Sequence, residues 1–272
     1  MSNVESLFDL GGKVAVVTGI MGRLGSVWAE ALLEAGAYVL GLDQKVDVVS
    51  DPVQALQSQY PGKLHCFRAD VCSRSDLEEA LTHCREQVGP PDILVNNAGI
   101  DQPPGALGVS HVMDSVPFEI SEKVFGVNTL GAFQCAQVFG KSMIESGGGK
   151  IINIGSMYGT VSPDSRMYDH IDMSPPFLKP PAYGASKAAL VNISNYLATH
   201  WAPYGIQVNT LSPGGVFGGQ DSTFKKKFAE RVPMGRMAYP HELKGPLLFL
   251  ASEASSYVTG VELVVDGGFT CW

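Results

Sequence analysis

Seven short runs of β-branched and other apolar residues recur along the chain, with segments of helical periodicity between them. The runs at 13–19 (KVAVVTG), 38–43 (YVLGLD), 63–70 (KLHCFRAD), 92–99 (DILVNNAG), 150–156 (KIINIGS), 206–215 (IQVNTLSPGG) and 261–268 (VELVVDGG) each read as a buried strand. Helices are predicted over 27–37, more weakly over 52–60, and over 75–89, where Ser75 and Glu78 suit a capping box. Further helices are expected over about 121–146, stopped by Gly147-Gly148-Gly149, from Tyr183 to near Pro203, and over about 222–231 and 240–252. Strand and helix alternate throughout, which implies α/β architecture: a parallel sheet of about seven strands covered by helices on both faces. No repeat, charge block or low-complexity linker marks a second domain, so 1–272 reads as one domain.

The first of these units narrows the picture. The strand at 13–19 runs into IMGRLG and then into a helical segment. Gly19, Gly22 and Gly25 let the backbone turn tightly and approach a pyrophosphate at a helix N-terminus, where free N–H groups and the helix dipole favour an anion. The next strand ends in Asp43, where an acid would meet the hydroxyls of an adenosine ribose. A strand, glycine turn, helix and terminal acid in this order predict a Rossmann-type, doubly wound dinucleotide-binding sheet. Asp43 favours NAD over NADP, since a 2′-phosphate would face a like charge; Gln44 is neutral and Lys45 is the nearest cation in sequence, with Arg23 a competing one.

A second constellation lies far downstream. Tyr183 and Lys187, in PPAYGASKAALV, are four residues apart in a stretch of good helix formers, so they share a helix face. An ammonium there is expected to lower the tyrosine pKa and allow proton exchange with an alcohol or carbonyl near neutral pH. Composition excludes other classes. The net charge of −8 and pI near 5.2 argue against a nucleic-acid surface. No run approaches the ~20 apolar residues of a membrane helix, and MSNVESLFDL lacks the features of a secretory signal. Cys66, Cys72, Cys84, Cys135 and Cys271 are scattered with no metal-type spacing, which reads as reduced thiols in a cytoplasm.

Together these residues resemble the short-chain dehydrogenase/reductase family, in its single-domain branch, from about 13 to 268. The landmarks are TGIMGRLG at 18–25, ADV at 69–71, NNAG at 96–99, Asn128 in VFGVNTLGAF, Ser156, YGASK at 183–187, SPGG at 212–215 and VVDGG near the end. The resemblance implies an oxidoreductase moving a hydride between a nicotinamide cofactor and an alcohol or carbonyl. It makes Tyr183 the acid/base, Lys187 its partner and ligand of the nicotinamide ribose, and Ser156 the donor to the substrate oxygen. Asn128 would kink its helix and hold a water in a proton relay through Lys187. Cofactor contacts would come from Gly19, Met21, Arg23, Leu24 and Gly25 in the turn, from Asp43 at the ribose, and from Asp70 and Val71 at the adenine. Asn97, Ala98 and Gly99 would line the cleft, and Pro213, Gly214 and Val216 would cover the nicotinamide. A homotetramer is also implied. The long helices supply a physical motive in Phe125, Phe133, Phe139, Val191, Ile193, Tyr196 and Leu197, more apolar surface than one sheet can bury.

Three departures from the family pattern stand out. Arg23 occupies the place of the middle glycine. Gly218, in PGGVFGGQ, stands where a threonine often holds the carboxamide. Ser156 and Tyr183 are more than twice as far apart as usual. The extra segment at 157–182 joins two catalytic residues, so it is expected at the mouth of the site as a substrate lid. It offers Asp164, Ser165, Arg166, Tyr168, Asp169 and His170 as polar contacts, with Asp101 and Gln102 nearby. Arg166, Tyr168 and Gln102 are the chosen substrate candidates, and a polar, sugar- or polyol-like substrate is expected. NAGIDQPP, SPDSRMY and the GGFTCW tail also resemble oxidoreductases encoded with bacterial surface-sugar pathways. The alternatives are a non-catalytic redox sensor, a dehydrogenase of a hydrophobic alcohol or 3-oxoacyl group, and a sugar-nucleotide epimerase or dehydratase.

Overall fold

The structure, a computed structural model, describes residues 3–101 and 110–272. Seven strands form one parallel sheet: β1 (Val14–Thr18), β2 (Tyr38–Asp43), β3 (Leu64–Arg68), β4 (Ile93–Asn96), β5 (Gly149–Ile154), β6 (Ile206–Pro213) and β7 (Glu262–Val265). Their order is β3-β2-β1-β4-β5-β6-β7. The direction of winding reverses between β1 and β4, and a crevice opens there beyond the carboxyl ends of the strands.

Alternate side chains of each strand feed opposite faces. Ala15 and Val17 join a core with Trp28, Leu32 and Leu33 of α1 (Gly25–Glu34), Val53 and Leu56 of α2 (Asp51–Gln59), and, toward the C-terminus, Leu247 and Leu250. Val14 and Val16 join a second core with Leu77 and Ala80 of α3 (Arg74–Gln87) and, further along, Phe139, Met143 and Leu197. The predicted helix at 121–146 begins earlier and is not uniform. It comprises α4 (Phe118–Phe125), a π-helical stretch (Gly126–Gly131) that carries Asn128, and α5 (Ala132–Glu145). Tyr183 and Lys187 ride on α6 (Pro181–Trp201), followed by α7 (Ser222–Arg231) and α8 (Lys244–Ala251).

The capping box expected at Ser75 and Glu78 gives way to a simple N-cap two residues earlier. Ser73 is the N-cap of α3 and accepts from Asp76 N at 3.3 Å. The Asp76 carboxylate explains the shift, because it also accepts from Asp70 N at 3.0 Å and so ties the cap to the end of β3. The segment predicted over 240–252 divides into a 3-10 turn at Pro240–Leu243 and α8.

Candidate active site

The crevice at the sheet reversal holds a cavity of about 520 Å³. Its floor comes from the glycine turn. Gly19 has φ +67°, and a Cβ there would stand 2.9 Å from Ala98 Cα; a Cβ on Gly25 would stand 2.3 Å from Gly19 O. Only glycine lets the turn close this tightly under the start of α1. Thr18 Oγ1 accepts from Asn97 N and Ala98 N, each at 3.0 Å, and Asn97 Nδ2 donates to Thr18 O and Gly19 O. Trp28 Nε1 donates to Asn97 Oδ1 at 2.8 Å. Thr18 and Trp28 thus brace the cleft wall, and sequence reasoning missed both.

Most of the expected cofactor residues line this one cavity: Gly19, Arg23, Leu24, Asp43, Val71, Asn97, Ala98, Gly99, Pro213, Gly214 and Val216, with Tyr183 and Lys187. Three expected residues stand behind it. Met21 serves through its backbone, donating N–H to Asp43 Oδ2 at 3.0 Å. Gly25 is consumed in packing. Asp70 holds its own turn by accepting from Cys72 N at 2.8 Å, leaving Ala69 and Val71 as the wall.

Arg23 stays exposed at the cavity, with one guanidinium nitrogen spent on backbone. Its Nη2 donates to Val216 O at 2.6 Å and to Phe217 O, which clasps the segment after β6 to the glycine turn. A Cβ at Gly218 would stand 2.3 Å from this guanidinium. Two departures from the family pattern are therefore one feature: the arginine in the turn takes the room that a side chain at 218 would need. Arg68, which sequence reasoning also passed over, stands level with Asp43 on the adjoining strand.

At the other end of the cavity lie the catalytic candidates. Lys187 is buried and donates Nζ to Ile154 O at 2.7 Å, 5.9 Å from the Tyr183 ring centre. Burial lowers its pKa to about 8, partly opposed by the Asp101 carboxylate. Tyr183 is not lowered, contrary to the expectation from spacing. Burial pushes it up to about 12, Asp101 and Tyr158 add to the rise, and the Ser156 hydroxyl pulls the other way. Desolvation of the phenolate is the largest influence on it. Ser156 follows β5, lines the cavity and accepts from Tyr158 N at 3.2 Å. Asn128, fully buried in the π-helical stretch, accepts from Ile100 N at 2.8 Å and donates to Ile100 O at 3.0 Å and Ser186 Oγ at 3.1 Å. Its side chain fixes the loop after β4 beside Gly99.

The insertion is ordered by its own small core. Met157, Tyr158, Met167, Tyr168 and Phe177 bury against Phe228 of α7 and Val232. Its polar groups are spent on α7: His170 Nε2 meets Asp221 Oδ1 at 3.0 Å, Asp169 pairs with Lys227, and Asp164 pairs with Arg231. Arg166 forks onto Asp164, with Nη2 at 2.7 Å, and its side chain is 81% exposed. Arg166 and Tyr168 border a separate hollow with Ile171 and Met173 and do not line the catalytic cavity. Gln102 lies outside the described residues. Within the insertion, Tyr158 N donates to Ser156 Oγ, and Lys179 meets the cavity wall by pairing with Asp101 Oδ2 at 2.6 Å.

A parallel sheet with a glycine-turn crevice, an acid at the tip of β2 and a serine, tyrosine and lysine at one end defines a nicotinamide-dependent oxidoreductase. Comparison with known proteins agrees. A family model described as Enoyl-(Acyl carrier protein) reductase matches residues 19–270. The NAD-dependent glycerol dehydrogenase of Listeria innocua is 34% identical over 271 residues, covering 97% of this chain and 96% of that one. A short-chain type dehydrogenase/reductase from Mycobacterium marinum superposes with a TM-score of 0.86 at 33% identity, over 99% of this chain and all of its own. A gluconate 5-dehydrogenase from Burkholderia cenocepacia, solved with NADP and tartrate, gives 0.85 at 30% identity, again over 99% and 100%. The chain belongs to the short-chain dehydrogenase/reductase family and is an NAD(P)-dependent oxidoreductase.

Proposed function

We propose that the chain is a polyol dehydrogenase that prefers NAD and uses Tyr183 as its acid/base. The observation that carries this is the meeting of Tyr183, Lys187 and Ser156 with the glycine turn and Asp43 around a single cavity. Bound nicotinamide supplies the hydride acceptor, and its positive charge favours the phenolate of a nearby tyrosine. In oxidation, Tyr183 takes the substrate hydroxyl proton. Ser156, whose oxygen already accepts from Tyr158 N, keeps its O–H to donate to the substrate oxygen as charge develops there. Lys187, with spare donors beyond the Ile154 carbonyl, holds the ribose and the proton path. Asn128 fixes the wall behind it.

The glycerol and gluconate dehydrogenases among the similar proteins point to a free polyhydroxylated substrate rather than a sugar bound for the cell surface. Asp43 supports NAD, and the engagement of Arg23 Nη2 with two carbonyls weakens the main reason to expect a 2′-phosphate site. The five unpaired cysteines suit a cytoplasmic setting. A homotetramer is part of the same reading. Phe139 and Leu197, offered from sequence for the interface, are buried in the core, but Phe118, Leu130 and Tyr196 on the α4–α6 side stand exposed. No helix among the described residues is long and apolar enough to cross a membrane.

Following NADH absorbance with NAD⁺ and a series of polyols, sugar acids and hydrophobic alcohols tests the substrate class. The Tyr183→Phe variant should bind NADH as the parent does and lose roughly 10²–10⁴-fold in turnover. Near-parental turnover would sink the assignment.

A further inference from the structure

A lysine outside the conserved motifs of the family lies against the proposed catalytic tyrosine. Lys179 stands near the end of the insertion, and its side chain is only 7% exposed. Its Nζ lies 2.6 Å from Asp101 Oδ2, 5.1 Å from the centre of the Tyr183 ring and 5.6 Å from that of Tyr158. A desolvated ammonium is attracted to aromatic faces, and Asp101, with its side chain 35% exposed, supplies the opposite charge from the cavity side. Asp101 belongs to the loop after β4 and lines the same cavity as Tyr183. The pair therefore bridges two segments that flank the phenol and sets one charge of each sign beside it.

We propose that Lys179 is a positioning residue for Tyr183: it holds the ring and balances Asp101, and so sets the pH at which the phenol exchanges its proton. This rests on the reading of Tyr183 as the acid/base. Among the described residues, the titratable groups facing the phenol are Asp101 from the loop after β4, Tyr158 and Lys179 from the insertion, and Lys187 from α6; the Ser156 hydroxyl joins them from the end of β5. Asp101 raises the tyrosine, as a like charge disfavours phenolate. Lys179 opposes it. Removing either charge alone must move the tyrosine in opposite directions, and removing both must largely restore it.

The test uses the full chain with NAD⁺ bound, comparing the parent with Lys179→Met, Asp101→Asn and the double variant. Two readouts are taken: the pH profile of kcat/KM for oxidation of the best polyol from the screen, and the phenolate ultraviolet absorbance that disappears in Tyr183→Phe. Lys179→Met should move the tyrosine midpoint up by about one pH unit and Asp101→Asn should move it down by a similar amount. The double variant should return toward the parent, and Lys179→Arg should restore the parental midpoint. Midpoints that stay put, or move in the same direction, in folded variants overturn the proposal. If Lys179→Met fails to fold, Lys179→Gln takes its place: an upward shift supports the balance, and no shift refutes it. Should Tyr183→Phe keep its activity, the function assigned to Tyr183 fails, while the absorbance titration still reports whether Lys179 governs the phenol.

Discussion

Replacing Asp43 with asparagine should collapse the discrimination between NADH and NADPH. The carboxylate ends β2, lines the cavity and is aimed by the Met21 N–H at 3.0 Å. A 2′-phosphate on the adenosine ribose carries about −1.5 to −2 charges, by analogy with a phosphorylated side chain. At ~5 Å and an effective dielectric of ~40, each unit charge repels the carboxylate by about 1.7 kcal/mol. The parent should therefore reject NADPH relative to NADH by roughly 2.5–3.3 kcal/mol, or roughly 70- to 260-fold. Asparagine removes that repulsion while keeping shape and one acceptor. It also weakens the grip on NADH, since hydrogen bonds to a charged group are worth about 1.5–3 kcal/mol. Arg68, level with Asp43 on β3, is then placed to attract the phosphate. Titrating NADH and NADPH by fluorescence into parent and variant measures the ratio directly. A parent that binds NADPH more tightly, or a variant whose ratio is unchanged, would refute the electrostatic argument.

Arg166→Ala should leave KM and kcat unchanged and barely alter stability, as befits an exposed ion pair, whereas a several-fold rise in KM would return Arg166 to the substrate. Asp164 is held at about 2, first by the hydrogen bond from Arg166 and further by Arg231. Its folded pKa lies below the ordinary 3.8, so its stabilising contribution is complete above about pH 4 and fades as pH falls through about 2. The gap in denaturation midpoint between parent and Asp164→Asn should close on acidification over that range; a gap independent of pH would contradict the linkage. Light scattering should show an oligomer at micromolar concentration, and placing glutamates at Phe118 and Leu130 should dissociate it; a monomeric parent rules the interface out.

What the sequence determined rests on short-range periodicity and spacing. The β-branched runs became seven parallel strands: the inner ones are buried on both faces and leave no polar alternation to misread, while β3 and β7, expected buried, are the half-exposed edges of the sheet. Gly19, Gly25 and Asp43 were legible because a turn, a close approach and a strand tip are local demands. Tyr183 and Lys187 needed only the helical repeat to share a cavity. The tertiary structure alone decided the features set by partners far apart in the chain. Arg23 reaches a carbonyl 193 residues later, which no spacing rule anticipates. The polar residues of the insertion looked available for a substrate until α7 folded back to bind them. Lys179 stands only four residues before Tyr183, but its partner Asp101 comes from 78 residues away, which spacing does not report. The titration of Tyr183 likewise followed from burial rather than from the lysine four residues on, because desolvation depends on everything packed around a group and periodicity reports only what lies on the same helix.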